Sequence, residues 1–377
     1  MLDGWTPAPS AYAIKARNTA DVVAGVNFAR ENKLRLVVKG GGHSYYGTSN
    51  APDSLLIWTR AMNKVTLHDA FVGQGCAGRI APLPAVSAEA GAMWIDLYDA
   101  VTTKGGRYVQ GGGCMTVGAA GLLLGGGFGS YSKRFGTAAA ALLEAEIVTA
   151  DGRVRVVNEC TEPDLLWALK GGGGGTFGVV TRLTLRTYDL PKYFGGAGGK
   201  VKASSDAAFA QLIERFIEFY SEKLFNPHWG ENVHFHPNNI LEFDMACEGL
   251  DSAQAWEIWR PFRDWVKARP QDFTVIDPLW SGAGDARSRW DPSDRSFKHD
   301  PRAGAPKYHV WNRGNEGECG AYLYAYDSLW LPASLLEEGR QKQLAAAVFA
   351  ASRYEMVRFH IIGLNRFAVV AGFGSLR

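Results

Sequence analysis

The stretch VVKGGGHSYYG, residues 37–47, places three consecutive glycines and a histidine directly after an apolar run that predicts a buried strand. Glycine has no side chain to pack, and ordering its backbone costs more conformational entropy than ordering any other residue. A run of three is therefore expected where a ligand or another backbone approaches the main chain closely. His43 would stand directly beside whatever approaches.

Glycine is enriched along the whole chain, and it is clustered. Of the 377 residues, 45 are glycine, against a usual share of about 7%. Two more clusters follow the first, at Gly111–Gly129 and Gly171–Gly178. A single glycine run is often only a flexible loop. Three runs flanked by strand patterns instead predict one extended ligand that the backbone contacts at several places, with peptide N–H groups forming anion-binding nests.

The third cluster contains G-x-G-x-x-G, at Gly173, Gly175 and Gly178. In a Rossmann fold that motif follows a strand and opens a helix, because the pyrophosphate sits on the helix N-terminus. Here the order is reversed, since a helical pattern at 164–170 precedes the glycines and a strand pattern follows them. A Rossmann dehydrogenase is thus a distant alternative, and no P-loop motif occurs.

Composition excludes several classes of protein. The chain is 46% hydrophobic and 21% charged, as globular proteins are, and its formal net charge of +2 gives no basic footprint for nucleic acid. No apolar run reaches the roughly 18 residues that a membrane span requires. The opening MLDGWTPAPSAY lacks the regions of a signal peptide. We therefore expect no nucleic-acid or membrane partner, and a cytoplasmic location unless the natural N-terminus was trimmed from a secreted protein.

The five cysteines are widely spaced, odd in number and without a C-x-x-C pair, which favours neither a disulfide framework nor a zinc site. Four of them are predicted to be small buried hydrophobic residues. The fifth, Cys114, lies inside the second glycine cluster. The four are Cys76, Cys160, Cys247 and Cys319.

The length favours two domains. The turn Asp151-Gly152 joins two β-rich arms and predicts a hairpin over 144–158. After Pro191 a glycine-rich passage, 192–206, reads as the domain boundary. Ser205 then opens an amphipathic helix. We predict a first domain over 1–191 and a second over 192–377.

With these motifs in hand, the chain resembles the flavoproteins that include berberine bridge enzyme and the vanillyl-alcohol-oxidase type, whose FAD-binding domain is called PCMH-type. Three segments carry the resemblance: KGGGHSYYGTS (39–49), GGGCMTVGAAGLLLGGGFGSYSKRFG (111–136) and DLLWALKGGGGGTFGVVTRLTLRT (164–187). The likeness is close over roughly 10–190 and looser beyond. It implies an α+β protein, with a FAD-binding domain of two α/β subdomains and a substrate domain whose antiparallel sheet is flanked by helices.

The resemblance also implies site residues. His43 would attach covalently to the flavin C8 methyl and Cys114 to C6, which needs a neutral imidazole and a cysteine pKa lowered from about 8.5. Ser44 and the first loop would hold the diphosphate, the second cluster would lie against the isoalloxazine, and the third would meet the adenosine. The predicted cofactor residues are Gly40, Gly41, Gly42, His43, Ser44, Gly47, Cys114, Val117, Gly118, Gly121, Gly127, Gly129, Gly178 and Val180.

For the substrate domain the predictions are less specific. Tyr322, Tyr324 and Tyr326 alternate along one strand face and are candidates for substrate contact or for the catalytic base, although a packed aromatic stripe explains them equally well. His234 and His236 share a strand face and could bind a metal or act as a base. With no third ligand nearby, we instead expect solvated or hydrogen-bonded histidines and predict no metal site.

The implied function is an FAD-linked oxidase. A base would take the hydroxyl proton of an alcohol, sugar or aromatic alcohol while hydride passes to flavin N5, and O2 or another acceptor would reoxidise the flavin. Family members continue into a W-G-x-N-Y type segment, whereas this chain stops at Arg377. We therefore expect an incomplete C-terminus, and the alternative is a flavin-binding protein with little or no turnover. The sequence does not indicate an oligomeric state.

Overall fold

The computed structural model describes residues 8–44, 46–318, 325–354, 357–361 and 366–373. These residues form mixed helix and sheet. The strands are β1 Tyr12–Lys15, β2 Arg35–Lys39, β3 Ser54–Trp58, β4 Val65–Phe71, β5 Leu83–Glu89, β6 Arg107–Tyr108, β7 Leu142–Val148, β8 Val154–Asn158, β9 Val179–Arg186, β10 Tyr188–Asp189, β11 Tyr193–Ala203, β12 Trp229–His236, β13 Ile240–Glu248, β14 Phe273–Asp285, β15 Phe297–His299, β16 Val310–Asn312, β17 Ala325–Pro332, β18 Val357–Ile361 and β19 Arg366–Phe373. The α-helices are α1 Thr19–Glu31, α2 Trp94–Tyr98, α3 Ala119–Leu124, α4 Ser132–Phe135, α5 Pro163–Leu169, α6 Asp206–Phe219, α7 Ser252–Lys267 and α8 Gln341–Ser352.

The chain forms two compact units. Unit 1 consists of Met1–Phe128, Thr137–Leu190 and Trp290–Tyr322, and unit 2 of Gly129–Gly136, Pro191–Arg289 and Leu323–Arg377. The segment Trp290–Tyr322, which the sequence prediction places in the second domain, thus groups with unit 1. The reason is visible in the contacts, because the Trp290 ring stacks on Tyr98 of α2 at 3.9 Å.

Unit 1 contains a parallel sheet and an antiparallel sheet. The parallel sheet has the order β1-β3-β2, and the antiparallel sheet has the order β4-β5-β9-β7-β8. Asn18 caps helix α1, since its side chain accepts the Asp21 N–H at 2.9 Å. The predicted hairpin is confirmed as β7 and β8. The N-cap of α5 is Glu162.

Unit 2 is a seven-stranded sheet with helices packed on it. The strand order is β14-β11-β13-β12-β18-β19-β17, and all pairs are antiparallel. Helices α6, α7 and α8 share one core with one face of this sheet, and its centre is aromatic: Phe243 of β13 stacks on Trp259 of α7 at 4.6 Å.

The glycine-rich passage after Pro191, which the sequence predicts as the domain boundary, lies at the start of the unit 2 segment Pro191–Arg289. It forms β11, which pairs with both β13 and β14. A Cβ at Gly198 would lie 2.6 Å from Nε1 of Trp280, and one at Gly195 would lie 2.1 Å from the Gly282 carbonyl oxygen. Glycine is needed here because neighbouring groups occupy the side-chain positions.

The expectation that His234 and His236 lack a third ligand is wrong. The register pairs His234 of β12 with Glu242 of β13, and Glu242 Oε2 lies 2.9 Å from His236 Nε2. Two facing strands bring together residues that sequence spacing alone does not connect.

Two cysteines form a disulfide, which the sequence analysis did not favour. Cys76 follows β4 and Cys160 follows β8; they are bonded, with a Cα–Cα distance of 5.5 Å. Cys247 is buried as predicted, and burial raises the pKa of its thiol to about 12. Cys114 is half-buried and is not part of a disulfide. Cys319 lies outside the described residues.

Across the described part of the chain, none of the helices combines the length and hydrophobicity needed to cross a bilayer.

Candidate functional site

The three glycine clusters meet in unit 1. The first and second touch at Gly41 and Gly118, where a Cβ on either residue would come within 2.5–2.7 Å of the other's backbone nitrogen. The second and third touch where the Gly173 N–H donates to the Leu124 carbonyl at 2.8 Å and where Gly171 faces Gly126. The fold therefore brings three sequence-distant backbone loops into one continuous surface.

The glycines of this surface divide into two kinds. Some are required by packing against the protein itself: Cβ atoms at Gly111, Gly127 and Gly178 would lie 2.3 Å from the Trp94 ring, 2.8 Å from Ala138 Cβ and 2.4 Å from the Val148 carbonyl oxygen. Others face open space, with nothing within 4 Å of a Cβ. These open glycines are Gly113, Gly121, Gly126, Gly174 and Gly175.

Among the described residues, no side chain other than those of chain neighbours covers the main chain at these open glycines. Such a surface lets a flat ring or a phosphate reach peptide N–H groups directly. Of the glycines predicted to lie against a ring, Gly121 has this open environment, whereas Gly118 and Gly127 serve packing. Packing of the loops thus explains part of the glycine content, and a ligand surface explains the part that packing leaves over.

The two predicted attachment residues come together through a shared neighbour. His43 Nε2 lies 3.0 Å from the Thr116 hydroxyl, and Cys114 Sγ lies 3.6 Å from the same hydroxyl. His43 and Thr116 also line one cavity. Thr116 was not predicted from sequence, although it stands only two residues after Cys114.

The loop after β2 combines turn geometry with a positive charge. Gly42 and Gly47 have φ values of +83° and +70°, in the left-handed region that glycine tolerates. Ser44 closes the turn through its hydroxyl, 2.7 Å from that of Thr48. The side chain of Lys39 lies over Gly42, with Cε 2.9 Å from the position of a Cβ there. The Lys39 side chain, which the sequence analysis did not identify, brings a positive charge to this turn.

The remaining predicted cofactor residues have structural roles. The Val117 carbonyl accepts the Trp94 N–H at 3.0 Å, and Gly40 faces the Ala90 carbonyl. Val180 is buried in β9. Gly129 groups with unit 2, where its N–H donates to the Ser132 hydroxyl.

A cavity of about 410 Å³ opens beside His43. Its wall includes Arg60 from the loop after β3 and His309 from the segment before β16. His309 Nε2 lies 2.8 Å from Asp96 Oδ1, and both side chains are about 95% buried. Asp96 Oδ2 accepts the Met93 N–H at 2.8 Å and lies 3.7 Å from Arg60.

This arrangement orients the imidazole of His309. The Asp96 carboxylate accepts the proton on Nε2, which leaves Nδ1 as the basic nitrogen. Nδ1 is buried and has no hydrogen-bond partner among the described residues, and Asp300 Oδ2 lies 3.7 Å away. An aspartate that fixes the tautomer of a histidine is the arrangement used by histidine bases in enzymes.

The environment of His309 fixes the charge states of two neighbouring side chains, Tyr308 and Asp300. Burial, together with the charges of Asp96 and Asp99, raises the pKa of Tyr308 to about 12, so its hydroxyl is neutral. The hydrogen bond from Arg302 lowers the pKa of Asp300 to about 2. These two neighbours of His309 therefore present a neutral hydroxyl and an ionised carboxylate.

The predicted catalytic tyrosines contribute little to this description. Tyr322 and Tyr324 lie outside the described residues. Tyr326 belongs to β17, opposite Gly372 of β19, and its side chain is not described. The Asp96–His309 pair had no sequence signal, because its members stand far apart in a helix and in a turn-rich segment.

Comparison with known proteins agrees with the flavin motifs. Residues 10–158 match the family model described as FAD binding domain. A relative from Arthroderma benhamiae, named only as an uncharacterized FAD-linked oxidoreductase, is 30% identical over 256 residues, which are 64% of this chain and 45% of the relative. The FAD-linked oxidoreductase penH of Penicillium thymicola is 45% identical over 179 residues, 47% of this chain and 31% of that protein. The chain spans less than half the length of these relatives.

Solved structures share the fold. A VAO-type flavoprotein from Myceliophthora thermophila superposes with a TM-score of 0.73 at 23% identity, covering 96% of this chain and 65% of that one. Glucooligosaccharide oxidase from Acremonium strictum, described with a 6-S-cysteinyl, 8α-N1-histidyl FAD, superposes with a TM-score of 0.64 at 17% identity, covering 97% and 74%. The predicted resemblance and fold class are thereby confirmed.

Proposed function

We propose that this protein is an FAD-dependent oxidoreductase that oxidises the carbinol carbon of an alcohol, a sugar or an aromatic alcohol, with oxygen as the electron acceptor. One observation carries the proposal. The fold places an imidazole and a thiol on either side of one threonine hydroxyl, next to a surface of open glycines.

The residues fit FAD. The turn at Gly42–Gly47 and the Lys39 ammonium suit a diphosphate, and the open glycines suit the flat parts of the dinucleotide. His43 and Cys114 would each form a covalent bond to the ring system. Each bond replaces a hydrogen of the flavin by nitrogen or sulfur, which releases two electrons and two protons for oxygen to accept.

Thr116 would control the nitrogen that His43 presents. With the proton on Nε2, the imidazole donates to the Thr116 oxygen, and Nδ1 becomes the nucleophile. The same hydroxyl can donate to the Cys114 sulfur and stabilise its thiolate. Both attachment residues would therefore be oriented by one side chain.

Bound FAD would supply the redox chemistry, taking hydride from the substrate carbon at N5. The chain must supply a base for the hydroxyl proton, and we assign that role to His309. Its Nδ1 can accept the proton, while Asp96 holds the ring and stabilises the imidazolium. The cavity that His309 shares with His43 is where a small alcohol would bind.

The substrate class rests on similar proteins. Similar folds include a chitooligosaccharide oxidase and a carbohydrate oxidase from Microdochium nivale. Several similar sequences are named as FAD-linked oxidoreductases. Polyols, sugars and aromatic alcohols are therefore the first substrates to test.

The experiment is anaerobic mixing of the purified protein with a panel of such alcohols, followed by the loss of flavin absorbance and, after air is admitted, by peroxide release. At least one alcohol should bleach the flavin. His309→Ala should slow bleaching by roughly 10²–10⁴-fold at unchanged flavin content. The matched control is His299→Ala, an exposed histidine of the β15–β16 pair, which should bleach at the wild-type rate. A flavin-loaded protein that no alcohol bleaches would favour the alternative of a binding protein without turnover.

A further inference from the structure

A cluster of two histidines and a glutamate lies in unit 2, and none of the three is among the residues that line the cavity already described. His234 and His236 are two residues apart in β12 and therefore point to the same face of the sheet. Val233 and Phe235, which alternate with them, are fully buried in the core shared with the helices. The histidines thus occupy the opposite face of the sheet, where both are half-buried.

The third member of the cluster comes from the next strand. Glu242 of β13 is directly opposite His234 and diagonal to His236, which lies on the same face. One ligand atom from each of the three residues lies within 4.8 Å of those of the other two. The two imidazole rings have centroids 6.0 Å apart at 65°.

The two oxygens of the Glu242 carboxylate face different neighbours. Lys200 Nζ lies 3.3 Å from Glu242 Oε1, while Oε2 is the oxygen that faces His236. Lys200 is also 3.4 Å from Asp277, so its charge is shared between two carboxylates.

We propose that His234, His236 and Glu242 bind a borderline divalent cation of the Zn²⁺ class, with water in the remaining position. Two imidazole nitrogens and one carboxylate oxygen are a ligand set that Zn²⁺ takes, and three protein ligands with one open position are its usual arrangement outside closed structural sites.

The geometry needs only small adjustments. Ligands of a tetrahedral zinc at 2.0–2.1 Å are about 3.4 Å apart, so rotation of the side chains is sufficient to close the cluster. Binding through His236 Nε2 replaces its hydrogen bond to Glu242, and the proton moves to Nδ1 or to solvent. Lys200 stays on Oε1 and fixes the carboxylate, as groups around metal ligands do.

The test uses the tag-free flavoprotein, stripped with a chelator and dialysed, so that an affinity tag contributes no histidines. Calorimetric titration with Zn²⁺ should show one site per chain. Addition of Co²⁺ should give the ligand-field absorption of a four-coordinate ion at wavelengths beyond the flavin bands. Crystals soaked in Zn²⁺ should show anomalous density between β12 and β13.

Variants separate this site from adventitious binding. His236→Ala and Glu242→Gln should weaken Zn²⁺ binding at least 100-fold, because loss of a ligand costs at least as much as the 10–100-fold typical of its supporting contacts. The matched control is His228→Ala, since this half-exposed histidine precedes β12 and bonds the Glu248 carbonyl instead. The His228→Ala variant should bind Zn²⁺ with the affinity of the wild type.

Two results would overturn the proposal: no saturable binding in the wild type, or equal binding in all the variants. Glu242→Gln preserves side-chain shape, so an unchanged melting temperature in chelator, together with lost Zn²⁺ binding, would separate ligand loss from misfolding.

Discussion

The division of the glycines into packed and open ones predicts opposite effects for substitutions a few residues apart. Gly111→Ala puts a methyl 2.3 Å from the fully buried Trp94 ring, more than 1 Å inside ordinary contact. Overpacking of this kind lowers the free energy of unfolding by about 1–3 kcal/mol. At roughly 2–4 °C per kcal/mol, the melting temperature should fall by a few to about ten degrees.

Gly121 should behave in the opposite way. It lies inside α3, and nothing lies within 4 Å of a Cβ there. Alanine in a helix is favoured over glycine by up to about 1 kcal/mol, so Gly121→Ala should keep or raise the stability of the flavin-free protein. Gly121→Leu should also fold, yet its side chain would occupy the cofactor surface and lower flavin occupancy roughly 10–100-fold.

The assay pairs two measurements on each variant. Thermal unfolding is followed on protein produced under riboflavin limitation, and flavin content is read from absorbance after riboflavin-rich production. The reasoning is refuted if Gly121→Leu retains full flavin, or if Gly121→Ala destabilises the flavin-free protein as much as Gly111→Ala does.

Three further predictions follow. Thr116→Val should reduce covalent flavin at both His43 and Cys114, whereas Thr116→Ser should retain it; acid precipitation measures the bound fraction, and equal retention in both variants would exclude the role of the hydroxyl. Burial lowers the pKa of Lys133 to about 7, well below the pKa of a lysine in the unfolded chain. The unfolded state therefore binds more protons than the folded state between about pH 7 and 10.5. The free energy of unfolding, measured in denaturant, should therefore rise with pH across this window in the wild type relative to Lys133→Met. The same pH dependence in both proteins would contradict this. The double variant Cys76→Ser, Cys160→Ser should lower the free energy of unfolding by about 2–5 kcal/mol and abolish the effect of dithiothreitol on the melting temperature. A wild-type melting temperature that dithiothreitol does not change would contradict the presence of the disulfide.

Local signals predict much of the flavin half of the fold from sequence alone. Asn18 caps α1, Asp151-Gly152 turns the β7–β8 hairpin, and the glycines of the first loop follow β2. Each of these features depends on a few residues that are adjacent in sequence, so it can be predicted without knowledge of the fold. The same is true of His43 and Cys114, whose neighbours form motifs.

What sequence reasoning missed depends on contacts between distant residues. The glycines after Pro191 indicate a domain boundary in the sequence, and their packing against Trp280 is seen only in the structure. The Cys76–Cys160 bond has no diagnostic spacing. Asp96 meets His309, and Glu242 meets His236, only once helices and strands are placed. Periodicity predicts elements, but it does not predict which elements meet.

The central claim is that the surface of open glycines holds FAD, which His43 and Cys114 then attach. Its most direct test is peptide mapping by mass spectrometry of acid-denatured protein produced with ample riboflavin. The account predicts yellow denatured protein and one flavin linking the peptides that contain His43 and Cys114, with a single link remaining in each alanine variant. Colourless protein, with both peptides at unmodified mass, would contradict it.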